Sequence, residues 1–208
     1  MTTRFLISLF TVVAATLKVA ATDRFFIEDF AIQRGQTAQV EILLDNETQY
    51  TAFQADLYLP DGLTIVEGTC ALTGRKASDH TLSTSILPDG AIRLMSYSMR
   101  VNAYKGNNGA LVTFQVAASE TMDVPATLAM KNIRFTSTDG TEAVFANTQC
   151  NIYLVGDVNG DGLVNIADVT SLIDLLLANG EWSAKADVNG DGNISIADVA
   201  TLIDLLIN

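Results

Sequence analysis

Twelve residues from Asp157 to Asp168, Asp-Val-Asn-Gly-Asp-Gly-Leu-Val-Asn-Ile-Ala-Asp, recur with small changes from Asp187 to Asp198. Oxygen-bearing side chains stand at positions 1, 3, 5, 9 and 12 of both copies. They are Asp157, Asn159, Asp161, Asn165 and Asp168, then Asp187, Asn189, Asp191, Ser195 and Asp198. A hard divalent cation takes roughly six to eight oxygens, which alternate residues supply as the chain wraps around it. Position 7, Leu163 or Asn193, offers its main-chain carbonyl, and position 9 acts through water. Gly162 and Gly192 at position 6 permit a turn that a residue with a Cβ makes only at a cost. Without a cation the three carboxylates of each copy repel one another. Calcium fits better than magnesium, which demands tight octahedral geometry. The repeat predicts two calcium ions.

This is the spacing of an EF-hand calcium loop, with Asp rather than Glu at position 12. Each loop must be held in place by the segment after it. Val169, Leu172, Ile173 and Leu176 recur at helical spacing after the first, and Val199, Leu202, Ile203 and Leu206 after the second. Asp168 and Asp198 then sit at helix N-termini, where the backbone dipole favours negative charge. Asn179-Gly180 reads as the stop of the first helix. No helix enters the first loop, because Asn151 to Val155 reads as the end of a strand. Each copy is thus half an EF-hand.

The doublet over 156–208 resembles a type I dockerin, two calcium-loop–helix segments in pseudo-twofold symmetry. The resemblance implies recognition of a cohesin-type partner through the tenth and eleventh loop residues and nearby helix positions. Those are Ile166, Ala167, Ile173 and Asp174, with Ile196, Ala197, Ile203 and Asp204 in the second copy. Many cellulosomal dockerins carry hydroxyl residues at ten and eleven, whereas this chain has Ile-Ala twice. The isoleucines either meet a partner or pack the core between the two helices.

The segment 22–155 reads as all-β. Ala38, Val40, Ile42 and Leu44 alternate with polar residues, as do Phe53, Ala55, Leu57 and Leu59, and Val112, Phe114 and Val116. Turn signals fall between such runs, at Asp45-Asn46, Pro60-Asp61-Gly62, Pro88-Asp89-Gly90, Gly106 to Gly109 and Asp139-Gly140. The expected fold is an antiparallel sandwich. Phe53 to Val66 and Gly109 to Val116 resemble strands of the cohesin and carbohydrate-binding-module sandwich, of jelly-roll type.

Charge divides the chain at the same place. From Gly156 onward nine acids face Lys185 alone, while 22–155 carries fifteen acids and nine bases. A net charge of −12 argues against a nucleic-acid partner. Arg4, an apolar run of thirteen residues from Phe5 to Leu17, and Val19-Ala20-Ala21 read as a secretory leader over 1–21. The run is too short for a hydrocarbon core of roughly 30 Å. The mature chain is expected outside the cell or at a bacterial surface, with no transmembrane segment.

No nucleophile elbow, phosphate loop or Cys-His pairing appears, so no enzyme is expected. Glu67, Asp79, Glu120 and Asp123 read as solvated surface, and His80 as an exposed loop residue. Tyr58 and Tyr97, on the polar side of their strands, are the better sugar-stacking candidates among Trp182, Tyr50, Tyr58, Tyr97 and Tyr104. Cys70 and Cys150 form a disulfide worth roughly 4 kcal/mol or remain two buried thiols. The resemblance implies a non-catalytic extracellular assembly protein in a setting of polysaccharide breakdown. The alternative is a carbohydrate-binding module that the dockerin delivers to an enzyme complex.

Overall fold

The computed structural model describes residues 23–207; the leader expected over 1–21 lies outside them. In chain order the strands are β1 (Arg24–Phe26), β2 (Phe30–Ile32), β3 (Thr37–Asp45), β4 (Tyr50–Tyr58), β5 (Leu63–Ile65), β6 (Ala71–Leu72), β7 (His80–Ile86), β8 (Ile92–Ser98), β9 (Ala110–Ala118), β10 (Ala126–Ser137), β11 (Glu142–Val144) and β12 (Thr148–Leu154). Two helices come after them, α1 (Ile166–Leu177) and α2 (Ile196–Ile207).

The strands form two sheets. One runs β1-β3-β9-β5 with β6 on β9; the other runs β2-β12-β10-β4-β8-β7 with β11 on β10. The period of two decides which residues face inward. Val40, Ile42 and Leu44 of β3, and Val112, Phe114 and Val116 of β9, are buried from the first sheet. Phe53, Ala55 and Leu57 of β4 meet them from the second, together with Leu94, Leu128 and Phe135. Aromatic rings fill one end of the core, where Phe135 lies 5.1 Å from Phe25, 4.9 Å from Tyr50 and 4.6 Å from Phe145. The buried Tyr50 hydroxyl donates to Asp23 at 2.7 Å, and the other Asp23 oxygen accepts from Glu47 N, fastening the first described residue to the β3–β4 turn.

The sandwich is not wholly antiparallel. β2 pairs parallel with β12, Ile152 opposite Phe30 and Leu154 opposite Ile32. The chain leaves β1 in one sheet and crosses to the edge of the other, where it lies in the same direction as β12. Three-residue strands such as β1 and β2 are too short for their alternation to be read.

Buried polar groups are satisfied locally. Asp56, fully buried, takes two bonds from Arg93 at 2.7 and 2.8 Å and one from Asn132 at 2.9 Å. The Arg93 bonds hold its carboxyl below the ordinary carboxylate range, against the effect of burial. Arg75 donates to the carbonyls of Leu44, Lys105 and Gly109 and to Asn46 Oδ1, knotting the Gly106–Gly109 turn to the end of β3.

One expectation fails here. His80 is buried at 8% exposure as the first residue of β7, not an exposed loop residue. Its ring stacks on Tyr104 at 4.2 Å, and Nδ1 accepts from Ala77 N at 2.9 Å. Of the two alternatives left open for the cysteines, the structure has the free thiols. Cys150 lies inside the sandwich on β12, while Cys70 is half-buried just before β6, which belongs to the other sheet. Burial pushes Cys70 up to about 11 and Cys150 up to about 12, so neither is a nucleophile near neutral pH.

The helices have a small core of their own: Val169, Leu172, Ala186, Val188, Val199 and Leu202. Val155 N donates to Ile32 O at 3.4 Å and Gly156 N to Lys185 O at 2.9 Å, so the chain passes directly from sandwich to loop. At Gly156, φ is +87° and a Cβ would stand 2.8 Å from Leu202 Cδ1, so a glycine is required there. Among the described residues no helix is long and apolar enough to cross a membrane.

Candidate metal centres and docking face

The two loops adopt the same hydrogen-bond pattern. Asp157 Oδ1 accepts from Gly160 N and Asp161 N at 2.9 and 3.0 Å, and its Oδ2 accepts from Gly162 N at 3.0 Å. Asp187 repeats this with Asp191 N at 3.1 Å and Gly192 N at 2.9 Å. Asn159 Oδ1 accepts from Asp161 N, and Asp161 Oδ1 from Leu163 N; Asn189 and Asp191 do the same in the second loop. Gly162 and Gly192 both have φ of +84°, the left-handed conformation anticipated at position 6.

Position 12 closes each ring. Asp168 Oδ1 accepts from Asn159 N at 3.1 Å and Oδ2 from Asn165 N at 2.9 Å. Asp198 takes the equivalent bonds from Asn189 N and Ser195 N. Asn165 is the N-cap of α1 and Asp168 its partner in a capping box. The same carboxylate therefore ends the loop and starts the helix. The helices begin at Ile166 and Ile196, two residues before Asp168 and Asp198, where the sequence reading sets the N-termini, because the caps are Asn165 and Ser195.

The donors suit a calcium ion. Asp157, Asp168 and Asp198 are at most 5% exposed, and buried carboxylates need compensation. Among the described residues no ion pair involves any carboxylate of the loops. Each carboxylate also has more lone pairs than the amides use. No three carboxylate, imidazole or thiol groups among the described residues converge on one point. The three aspartates of each loop accept main-chain amides instead, as Asp157, Asp161 and Asp168 do in the first. Leu163 has its side chain 64% exposed and would contribute only its carbonyl.

The symmetric isoleucines do not pack the core. Ile166 and Ile196 are 71% and 74% exposed, and Ile173 and Ile203 about two-fifths exposed. Ala167, Asp174, Ala197 and Asp204 are exposed with them. Val169 and Leu172, with Val199 and Leu202, face inward instead. One apolar stripe of each helix is thus spent on its twin, and a second is left in water.

The sugar-stacking candidates separate. Tyr50 and Tyr104 are buried. The Tyr58 hydroxyl donates to Asp89 at 3.0 Å and the Lys131 ammonium lies over its ring, 4.5 Å from the centroid. Tyr97 and Trp182 remain exposed, at 41% and 56%. Asp79, expected on the solvated surface, lies there and gathers the Ser98 hydroxyl, Arg100 N and Asn102 Nδ2. Those bonds, the Ser98 one foremost, hold its carboxyl well below the usual range.

Residues 155–207 match the sequence profile of the dockerin type I domain. No curated protein sequence matches the chain. Among solved structures, the sandwich is similar to a non-cellulosomal cohesin from the archaeon Archaeoglobus fulgidus. That match has 15% identity and a TM-score of 0.50, and covers 64% of this chain and 91% of that one. It is also similar to a chain of the Coh-OlpC-Doc435 cohesin–dockerin complex of Clostridium thermocellum. There the identity is 11% and the TM-score 0.53, with 68% and 99% of the two chains covered. At these identities the likeness shows the fold alone, a cohesin-like sandwich, and the dockerin profile matches the residues that follow it.

Proposed function

We propose that the chain is a secreted, non-catalytic assembly protein whose calcium-loaded dockerin docks onto a cohesin-type module of another protein. The observation that carries this reading is the pair of exposed isoleucine stripes. Ile166 and Ile173 on α1, and Ile196 and Ile203 on α2, leave an apolar face in water beside a net charge of −8 from Gly156 onward. Large apolar patches with a polar rim mark protein interaction sites. The dockerin match at the same residues, and neighbours solved in cohesin–dockerin complexes, support a cohesin as the occupant.

Two calcium ions would be held by Asp157, Asn159, Asp161, the Leu163 carbonyl, Asn165 and Asp168, and by Asp187, Asn189, Asp191, the Asn193 carbonyl, Ser195 and Asp198. Bound there, the ions would supply the positive charge that offsets the three carboxylates of each loop. The protein does the rest. Asp168 and Asp198 fix the first turns of α1 and α2, and those turns carry Ile166, Ala167, Ile196 and Ala197 at the surface. The implied setting is extracellular or at a bacterial cell surface, in an assembly linked to polysaccharide breakdown.

The test is capture of cohesin modules by the full chain in calcium, followed by calorimetry on those retained. Ile166→Asp with Ile196→Asp should weaken binding at least about 100-fold, as loss of an interface hot spot does. Circular dichroism should be unchanged. Capture that is indifferent to this double change would remove the docking face from the proposal.

A further inference from the structure

Between the sandwich and the loop–helix pair lies a groove of about 540 Å³, within the range of small-ligand sites. Its floor is the outward row of β3, where Gln39 and Glu41 are exposed. The β1–β2 connection, with Glu28 and Asp29, forms one wall. Trp182, ahead of the second loop, and Gly190 within it form the other.

Trp182 is the only tryptophan in the chain, and more than half of it is exposed. It does not sit on a loose tether. Before it, Asn179 at φ +48° and the Gly180 N bond to Leu175 O lock the end of α1. After it, Ala186 N and Asp187 N both donate to Ser183 O as the chain enters the second loop. Asp29 is fixed too, since it accepts Asn151 N at 2.7 Å and Asn151 Nδ2 at 3.0 Å. A flat apolar surface is therefore held in water in a groove that also carries the oxygen acceptors Gln39, Glu41 and the anchored Asp29.

That combination matches a sugar ring. The C–H face of a pyranose stacks on an indole, while its hydroxyls donate to carboxylate and amide oxygens at the ring edge. The three carboxylates Glu28, Asp29 and Glu41 meet no lysine or arginine in the lining. They favour hydroxyl donors and repel uronic or sulfated glycans. We propose that this groove binds a neutral oligosaccharide, with Trp182 as the stacking platform and Gln39, Glu41 and Asp29 as hydroxyl acceptors. The assignment goes beyond docking, because Ile166 and Ile196 do not line the groove. Only its calcium dependence rests on the proposed metal loading, through Gly190, which belongs to the second loop.

Because Trp182 is the sole indole, its fluorescence reports the site directly. The full calcium-loaded chain is titrated with cellohexaose, xylohexaose and mannohexaose, and with a galacturonate hexamer as the anionic comparison. At least one neutral hexaose should shift the emission with a dissociation constant below about 1 mM. Gln39→Ala and Glu41→Ala should each weaken that sugar about fivefold to tenfold, the effect of one lost hydrogen bond. Trp182→Ala should abolish the heat of binding while leaving helical circular dichroism intact. Chelator should abolish binding by the wild-type chain. Silence toward all three neutral sugars overturns the site, as does preference for galacturonate or binding that survives Trp182→Ala. Sugar binding retained in chelator overturns the calcium coupling. Loss of cohesin capture alone leaves all these readouts unchanged, so the two proposals fail separately.

Discussion

His80 shows what a single side chain can hide from a sequence reading. Between Asp79 and Thr81 it has a polar context, and its burial depends on Tyr104, far along the chain, whose ring it stacks against. Its Nε2 is buried without a hydrogen-bond partner among the described residues. Burial holds the imidazole below its ordinary 6.5, with neighbouring Asp79 opposing. The unfolded chain therefore binds the proton more readily, and stability falls as pH drops below about 6.5. The carboxylates held low by their partners, Asp23, Asp56 and Asp139, lose their contribution only below the ordinary 3.8, a separate window. Urea midpoints at saturating calcium should drop between pH 7 and pH 5, and His80→Phe should flatten that decline while keeping the stacked ring. An equal slope in both proteins would assign the decline elsewhere. The repeated oxygen donors are the opposite case. Their placement in one loop follows from spacing within twelve residues, and the hydrogen bonds of Asp157 and Asp168 lie inside that span. The cysteines, like His80, depend on which sheet each strand joins, and spacing carries no such information.

At the scale of elements, long strands were legible and short ones were not. β3, β4 and β9 each run to nine residues, and their alternation anticipates the buried row of each. β1 and β2 have three residues apiece, and the crossover between sheets followed by a parallel pairing leaves no periodic trace. The helices were found but begin earlier than the apolar spacing suggested, since the capping residues belong to the loops. That difference brings Ile166 and Ile196 into the first turn and out into solvent. One connection holds strain. Val101, after β8, has φ of +58°, which costs a β-branched residue roughly 1–2 kcal/mol. It is also about half exposed, so little packing offsets that cost. Val101→Asn should raise stability by about 0.5–1 kcal/mol in urea unfolding. A loss of stability would mean that the valine side chain is held by contacts stronger than its exposure implies.

The whole molecule joins two bodies that hold together for different reasons. The sandwich has a continuous core from Phe25 to Ile152 and needs no ion to stay closed. The loop–helix pair buries six apolar residues, and helices of twelve residues are marginal alone in water. Against that small core stand the buried Asp157, Asp168 and Asp198 and a net charge of −8. A divalent ion in each loop, as proposed, would reverse the balance. At free calcium about 1,000 times the dissociation constant, each site would add about 4 kcal/mol, comparable to the whole stability such a small core provides. Chelation of the full chain should therefore remove most of the helical signal at 222 nm and red-shift Trp182 emission. The sandwich should keep its strand signal and its cooperative thermal transition. Calcium should restore the helices, and Asp157→Ala with Asp187→Ala should prevent that recovery, because each removes the carboxylate that gathers the amides of its loop. Helicity that persists in excess chelator would mean that the amide network around these aspartates closes the loops unaided. The repeat would then be a structural turn rather than a metal switch, and cohesin capture should be equally strong with and without calcium.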